Sequence, residues 1–148
     1  MDCNSSFEER VGSLDIADIK CESFLKENKI EYMRYGFDHR KNRIKSEQWF
    51  KLPKIIRNKP DFIIFQSKSV FIEVKGCKDI LRFKLCDVDS YEFYGKIMPL
   101  TFFLYSSTYK QHKFIPYNRL KALTTIAPIG EYKDNGKKYY KIDWEIID

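Results

Sequence analysis

The feature that most constrains this chain is a pair of apolar, β-branched runs at residues 61–65 and 70–75, separated by four polar residues. Short runs of this kind, joined by a polar turn, are typical of a β-hairpin inside a sheet. The first run begins at Asp61, and the second contains Glu73 and Lys75. Charged side chains in buried strands are costly unless they have partners. The hairpin therefore predicts a central sheet and a site in the same place.

Alternation along the second run predicts where its side chains point. A period of two places Ile72 and Val74 towards the core and Glu73 and Lys75 together on the other face. Asp61 starts the adjoining strand and is placed to meet them. Two converging carboxylates suit a hard cation such as Mg²⁺. A lysine beside that ion can orient or deprotonate a bound water, or offset the charge of a phosphate.

The acid-x-Lys pattern alone carries little weight, because it occurs four times in this Lys-rich chain. Only Glu73-Val74-Lys75 follows a Pro-Asp pair by one hairpin, lies in a β-branched run and ends at a glycine. In this combination the sequence resembles the PD-(D/E)XK nuclease superfamily, and in particular its small resolvase-like members from archaea and phage. The signature reads Pro60-Asp61, eleven residues, then Glu73-Val74-Lys75. The resemblance covers about residues 14–105.

The resemblance implies an α/β fold of the restriction-endonuclease type, with a mixed central β-sheet flanked by helices. It implies that Asp61, Glu73 and the backbone carbonyl of Val74 bind one or two divalent metals, usually Mg²⁺, for which Mn²⁺ is expected to substitute. Lys75 would then assist the attacking water. The implied reaction is hydrolysis of DNA phosphodiester bonds to 5′-phosphate and 3′-hydroxyl products, without an organic cofactor.

A further acid is expected on the first helix, predicted over residues 15–28. Resolvase-like members have a helical acid about twelve residues before the next strand, and Asp18 stands twelve residues before Ile30. The resemblance therefore implies a catalytic and metal-binding role for Asp18, with Glu22 as the alternative. A different interpretation is that Asp18 only favours the helix N-terminus. At 100° per residue one stripe contains Leu14, Ala17, Asp18, Cys21 and Leu25.

The positive charge is concentrated in one segment. The formal net charge is +6, and residues 34–59 contain nine basic and two acidic residues, while the rest of the chain is nearly balanced. Such a segment suits a polyanion, although a solvated Lys-rich surface is an equally good interpretation of charge alone. Arg82, Lys84 and Tyr91 are further candidates for a phosphate contact, with a solvated strand face as the alternative. Within the segment, the predicted DNA contacts are Arg40, Lys41, Arg43, Lys45, Lys51, Lys54, Arg57 and Lys59.

The remaining pattern predicts one domain over residues 1–148, with a core at 14–105, a basic excursion at 36–59 anchored by Trp49 and Phe50, and a C-terminal extension at 106–148. Residues 1–12 are predicted as a polar lead-in. The other predicted elements are a strand at 30–35, a helix from a capping box at Asp89–Glu92 to about Ile97, a buried strand at 100–105, a strand at 113–115, a helix at 117–123, and a hairpin turning at Asn135-Gly136 whose last arm is 139–147.

Composition excludes several classes. The four cysteines show no metal-ligand spacing, and Cys21 and Cys86 are predicted as small core residues. There is no signal-peptide pattern and no apolar run near the roughly 20 residues of a membrane span. These observations predict a cytoplasmic, reduced protein that does not bind membranes, and the resemblance to phage members implies phage-encoded as one origin.

The resemblance implies a Mg²⁺-dependent endonuclease acting on DNA, with branched DNA or Holliday junctions as the expected substrate and a homodimer as the expected form. The alternatives within the same chemistry are a homing or restriction-type endonuclease and a replication-repair nuclease. The alternative of another class is a non-catalytic nucleic-acid-binding module. Three charged residues kept in a strand hairpin argue against that module, because a site without function has no need of costly buried charges.

Overall fold

The computed structural model describes residues 7–37 and 44–148, so the predicted contacts Arg40, Lys41 and Arg43 lie outside the described residues. The helices are α1 (Phe7–Glu27), α2 (Ser46–Lys51), α3 (Lys54–Arg57), α4 (Val88–Ile97) and α5 (Tyr117–Thr124). The strands are β1 (Glu31–Arg34), β2 (Phe62–Phe65), β3 (Ser69–Cys77), β4 (Ile80–Lys84), β5 (Leu100–Ser106), β6 (Gln111–Pro116), β7 (Ile129–Glu131) and β8 (Lys138–Asp143).

Five strands form a mixed central sheet in the order β1-β2-β3-β5-β6. The β3–β5 pair is parallel, and the β1–β2, β2–β3 and β5–β6 pairs are antiparallel. Parallel neighbours need a long crossover, and here β4 and α4 provide it. The predicted fold class, a mixed sheet flanked by helices, is confirmed.

Side chains on the two faces of the central sheet form separate clusters. On one face, α1 packs its fully buried Ala17, Cys21 and Leu25 against strand residues that include Ile72 and Val74. On the other face, α4, α5 and a second sheet enclose a larger cluster. Strand β3 is therefore buried on both sides, which explains its continuous apolar character. Ile72 and Val74 point together into the core, as predicted, and the residues that cover this face belong to α1.

The C-terminal extension belongs to this larger cluster. Strands β4, β8 and β7 form a three-stranded antiparallel sheet, and Ile142, Trp144 and Ile147 are buried in the same cluster as residues of the central sheet. The hairpin at Asn135-Gly136 is present, with Gly136 at a φ of +69°, which a glycine adopts without strain. Within the described residues, no helix is long and apolar enough to cross a membrane.

Four sequence predictions about elements are wrong. Helix α1 begins at Phe7 instead of Asp15, so the lead-in does not extend to residue 12. The capping box is absent: α4 begins at Val88 with Asp89 in its first turn. The strand predicted to Ile147 ends at Asp143 because residues 144–146 form a 3₁₀ turn that buries Trp144. Cys86 is exposed, whereas Cys21 and Cys77 are buried.

Candidate active site

The candidate site is built on the β2–β3 hairpin. Phe62 pairs with Ile72, so the antiparallel register continued by one residue places Asp61 opposite Glu73. The Val74 amide donates a hydrogen bond of 2.7 Å to Asp61 Oδ2, which fixes the Asp61 carboxylate against β3. Directly opposite residues of an antiparallel pair share one face. The hairpin therefore brings the two predicted acids together.

The second acid, Glu73, is only 7% exposed. Burial raises the pKa of Glu73 well above its usual range, and the nearby Asp61 carboxylate, which is within hydrogen-bonding contact, raises it further. Two neighbouring carboxylates in a buried position cannot both ionise without large cost. A divalent cation between the two carboxylates would remove this cost.

The Lys75 ammonium lies on the same side of the sheet, 5.9 Å from the centre of the Tyr91 ring of α4. Burial acts to lower the pKa of Lys75, but its contact with Tyr91 and the charges of Glu73 and Asp87 raise the pKa well above its usual range. Tyr91 is 2% exposed and stacks on Phe83 at 5.3 Å. The lysine is therefore held as a cation beside the carboxylates.

A close approach of two backbone segments fixes the position of Asp61. The amides of Tyr35 and Gly36 both donate to the Asp61 carbonyl, at 2.9 and 3.1 Å. A Cβ atom on Gly36 would lie 2.9 Å from the carbonyl oxygen of Pro60. Only glycine permits this approach without a shift of the backbone.

The predicted helical acid, Asp18, lines the same cavity as Asp61 and Glu73, whereas Glu22 does not. Asp18 Oδ2 forms an ion pair of 2.6 Å with the Arg34 guanidinium, and Glu22 lies 3.8 Å from the same group. Arg34 is at the end of β1. The structure therefore brings Asp18 to the site while pairing it with a cation.

A second wall of the cavity comes from the predicted basic excursion, whose two short helices α2 and α3 precede Asp61. The cavity encloses about 170 Å³. Residues of the excursion and of α4 face the hairpin across it. Its lining comprises Asp18, Arg34, Phe37, Trp49, Arg57, Asn58, Lys59, Asp61, Glu73, Val74, Lys75, Asp87 and Tyr91.

Two predicted DNA contacts line this wall. Arg57 Nε is buried and has no hydrogen-bond partner among the described residues, and its guanidinium lies 5.6 Å from the Phe50 ring. Lys59 Nζ lies 5.1 Å from the Tyr35 ring and 4.7 Å from the Phe37 ring. Cations over aromatic faces keep their charge available to a further anion. Both bases thus face the cavity that contains the carboxylates.

Of the remaining predicted contacts that the structure describes, Tyr91 lines the cavity, whereas Lys45, Lys51, Lys54, Arg82 and Lys84 do not. Lys45 and Lys51 are exposed on and beside α2. Lys54 hydrogen-bonds the Cys86 carbonyl, and Lys84 lies on the second sheet, with its ammonium 5.7 Å from the Tyr132 ring. Of the two expected anchors of the excursion, Trp49 packs edge-on against Phe37 at 5.2 Å.

Phe50, the other expected anchor, is 71% exposed, so its predicted anchoring role is wrong. The excursion is attached instead through α3 and α4. Asn58 Nδ2 donates to Asp87 Oδ1 at 3.3 Å and to Ser90 Oγ at 3.1 Å, and the Tyr94 hydroxyl donates to the Ile55 carbonyl at 2.6 Å.

Sequence reasoning missed several residues of the site. Asp87 and Asn58 meet across 29 positions of chain, and no local pattern indicates that contact. In the sequence, Arg34 was only one of nine bases in the basic segment. Its ion pair with Asp18 depends on its position at the end of β1, next to the helix that contains Asp18. The signal for Asp87 is weak: it is an acid that follows the alternating strand β4.

Asp61 and Glu73 are the donor set that the site offers to a divalent cation. Among the described residues, no group of three or more His, Cys, Asp and Glu side chains is arranged to hold a metal ion. Asp61 and Glu73 do form a pair of hard oxygen donors, with Val74 lining the same cavity. Mg²⁺ commonly uses one or two carboxylates and completes its shell with water and phosphate oxygens. The pair fits that pattern, with Asp18 paired to Arg34 beside it.

Comparisons with known proteins show the fold. No family model matches the sequence, and no curated protein matches it. Among solved structures, the chain is similar to Hjc, a Holliday junction resolvase from the archaeal hyperthermophile Archaeoglobus fulgidus, with a TM-score of 0.50 and 13% sequence identity. The match covers 87% of this chain and 89% of that one. At this identity the match supports the mixed α/β fold and leaves function to the site.

Proposed function

We propose that this protein is a divalent-metal-dependent endonuclease that hydrolyses DNA phosphodiester bonds. The observation that carries the proposal is the convergence of Asp61, just before β2, and Glu73 of β3, beside the half-buried Lys75 ammonium. On the facing wall, Arg57 has a buried Nε with no hydrogen-bond partner among the described residues and complements a phosphate, whereas the acids complement a cation. A cavity with both partners suits a phosphodiester bound through a metal ion.

The chain's own residues have separate tasks in this proposal. Asp61 and Glu73 would hold the cation, which when bound supplies a Lewis acid for the phosphate and a coordinated water. The Asp61 carboxylate is oriented by the Val74 amide. Because contacts with Tyr91 and Glu73 hold the pKa of Lys75 well above its usual range, Lys75 acts as a cation that orients the attacking water and offsets phosphate charge. Tyr91 keeps the Lys75 ammonium in place.

Branched DNA is the proposed substrate class, cleaved by a homodimer. The support is the structural similarity to Hjc, a Holliday junction resolvase, together with an acid from the first helix at the cavity edge. The test is incubation with Mg²⁺ and a panel of linear duplex, single strand, flap and four-way junction, followed by mapping of the cut sites. Preferential cutting of branched substrates supports the proposal. Equal cutting of every substrate contradicts the resolvase assignment, and cutting at one duplex sequence favours a restriction-type or homing endonuclease.

The catalytic assignment is tested separately. Glu73→Ala and Lys75→Ala should abolish Mg²⁺-dependent cutting while DNA binding persists in EDTA. Retained cleavage by a highly purified double variant would contradict the assignment. Binding of DNA without cutting by the wild-type protein under every metal condition would favour a non-catalytic binding module.

A further inference from the structure

The side chain of Asn58 joins the basic excursion to α4. Its Nδ2 atom donates to Asp87 Oδ1 at 3.3 Å and to Ser90 Oγ at 3.1 Å. Asn58 and Asp87 line the cavity, and Ser90, in the first turn of α4, is buried. An amide nitrogen has two hydrogens, so one side chain satisfies both acceptors. These bonds hold the end of α3 against the start of α4.

The backbone at position 58 does not require an asparagine. Asn58 has a φ of −97° and a ψ of 20°, so it is not in the left-handed conformation that favours glycine or asparagine after a helix. The side chain is the part that the structure uses. A serine would supply one donor in place of two, and an ionised aspartate would supply none. The residue type therefore points to the contact with α4.

Both ends of this contact lie next to residues of the candidate site. Arg57, directly before Asn58, lines the cavity, and the four-residue helix that contains it has no buried side chain. Tyr91, directly after Ser90, has its ring 5.9 Å from the Lys75 ammonium. The contact therefore sets the position of Arg57 relative to Lys75.

Another hydrogen bond joins the same two helices farther from the cavity. The Tyr94 hydroxyl donates to the Ile55 carbonyl at 2.6 Å, and neither of these residues lines the cavity. This bond attaches the first turn of α3, whereas Asn58 attaches the end that carries Arg57. The two contacts make it possible to separate the docking of α3 from the alignment of the site.

We propose that Asn58 is a positioning residue, which aligns Arg57 with the phosphate that is cut. The inference rests on the proposed function, because that function gives Arg57 a phosphate to bind. Asn58 contributes no charge and acts through the guanidinium beside it. Loss of alignment lowers the rate of a reaction between bound groups, whereas DNA affinity is spread over many bases and depends little on any one alignment.

The test is a double-mutant cycle on the maximal cleavage rate. The substrate is the DNA of the panel that the wild-type protein cuts fastest, at saturating concentration under single-turnover conditions with Mg²⁺. Asn58→Ala should lower this rate about 10-fold with little change in DNA affinity in EDTA. In the Arg57→Ala background the same substitution should have little further effect, because the two residues act as one unit. Additive losses, or a wild-type rate for Asn58→Ala, would overturn the proposal.

Tyr94→Phe is the matched control, since it removes one hydrogen bond between the same two helices. It should lower the free energy of unfolding in urea and keep a maximal rate close to that of the wild type. An equal loss of rate in Tyr94→Phe and Asn58→Ala would show that any loosening of α3 slows cleavage, and would overturn the proposal.

Amide hydrogen exchange provides a reading that does not depend on cleavage. Asn58→Ala should speed up exchange over residues 54–59 and leave β3 protected, because only the excursion loses a contact. Faster exchange in a protein that cuts no DNA would support the anchoring by Asn58 and contradict the nuclease assignment. Cutting by the wild-type protein, with rate and exchange unchanged in Asn58→Ala, would support the nuclease assignment and overturn the role of Asn58.

Discussion

The two walls of the candidate site are built in different ways. The hairpin wall, formed by Asp61, Glu73 and Lys75, lies on the edge of β2 and on β3, a strand buried on both faces. The excursion wall, formed by Arg57, Asn58 and Lys59, follows two helices of six and four residues with no buried side chain. One wall is part of the core, and the other is attached to it by a few hydrogen bonds.

The difference indicates how the two walls contribute. Buried charges keep a narrow geometry because any displacement leaves them without partners. That precision suits groups that hold a cation and orient a water. Bases on short, partly exposed helices tolerate small shifts, which suits contacts to a phosphate backbone. Substitutions in the hairpin wall should therefore affect the chemical step most. Among substitutions in the excursion, those at residues far from the cavity should affect DNA affinity more than the chemical step.

The largest effect is expected for the hairpin wall. Glu73→Gln and Asp61→Asn should each reduce Mg²⁺-dependent cutting by about 1,000-fold or more, because each removes a charge that stabilises the cation and the reacting phosphate. Calorimetric titration with Mn²⁺ should lose its binding heat. The matched control is Glu131→Gln, since Glu131 belongs to another acid-x-Lys pattern and is exposed on β7. Retention of Mn²⁺ binding by Glu73→Gln would contradict the assignment of metal binding to the hairpin wall.

Arg57 is expected to have an intermediate effect. Arg57→Ala should lower the maximal cleavage rate by about 10- to 100-fold, or roughly 1.4 to 2.7 kcal/mol, because Arg57 lines the cavity and its Nε has no hydrogen-bond partner among the described residues, which leaves the guanidinium available to the phosphate. Single-turnover kinetics at saturating DNA measure this rate. Lys51→Ala is the comparison variant, as Lys51 belongs to the same segment but lies outside the cavity. Equal losses of maximal rate in both variants would show that the excursion acts as one undifferentiated basic surface.

The hairpin wall was predictable and most of the excursion wall was not, for a physical reason. The acids and the lysine of the hairpin are related by strand alternation and by a four-residue turn, which are local rules. The contact of Asn58 with Asp87 depends on how α3 docks on α4, and no local pattern encodes that docking. Likewise, the helical stripe located Asp18, but its ion pair with Arg34 depends on the placement of β1 next to α1.

The capping box predicted at the start of α4 was wrong for a related reason. Asp89 and Glu92 have the spacing of a capping box, yet Ser90 between them is buried against Asn58, so tertiary contacts set the start of α4. The fold class was accessible because the central strands are long apolar runs. Of the second sheet, only the hairpin of β7 and β8 could be predicted from the sequence, because the pairing of β4 with β8 joins residues about 60 positions apart.

A smaller effect is expected for bases remote from the cavity. The double variant Lys45→Gln/Lys51→Gln should weaken DNA binding a few-fold and lower the salt slope by no more than about 2, since each phosphate contact contributes about 0.9. Fluorescence anisotropy over a salt series measures both quantities. The positions of the cuts should stay the same, because the cation and the water are held by the other wall. Altered cut sites would instead show that α2 takes part in recognising the sequence or structure of the DNA.

The smallest effect is on stability, where the walls should differ in their response to pH. The pKa of Glu73 is raised by burial and by Asp61, so between its unfolded and folded pKa values the native state binds a proton that the unfolded state lacks. The free energy of unfolding in metal-free buffer should therefore fall as pH rises above about 4.5, by at most about 1.4 kcal/mol per unit. Urea titrations from pH 5 to 8 measure this slope.

Glu73→Gln should flatten the pH slope, whereas Arg57→Ala should retain it, because the excursion wall contains no comparable buried acid. Addition of Mg²⁺ should offset the fall at high pH, since the ionised pair then has a cation in place of its proton. A wild-type slope that Glu73→Gln leaves unchanged would show that the buried acid is not the group whose proton the folded hairpin retains.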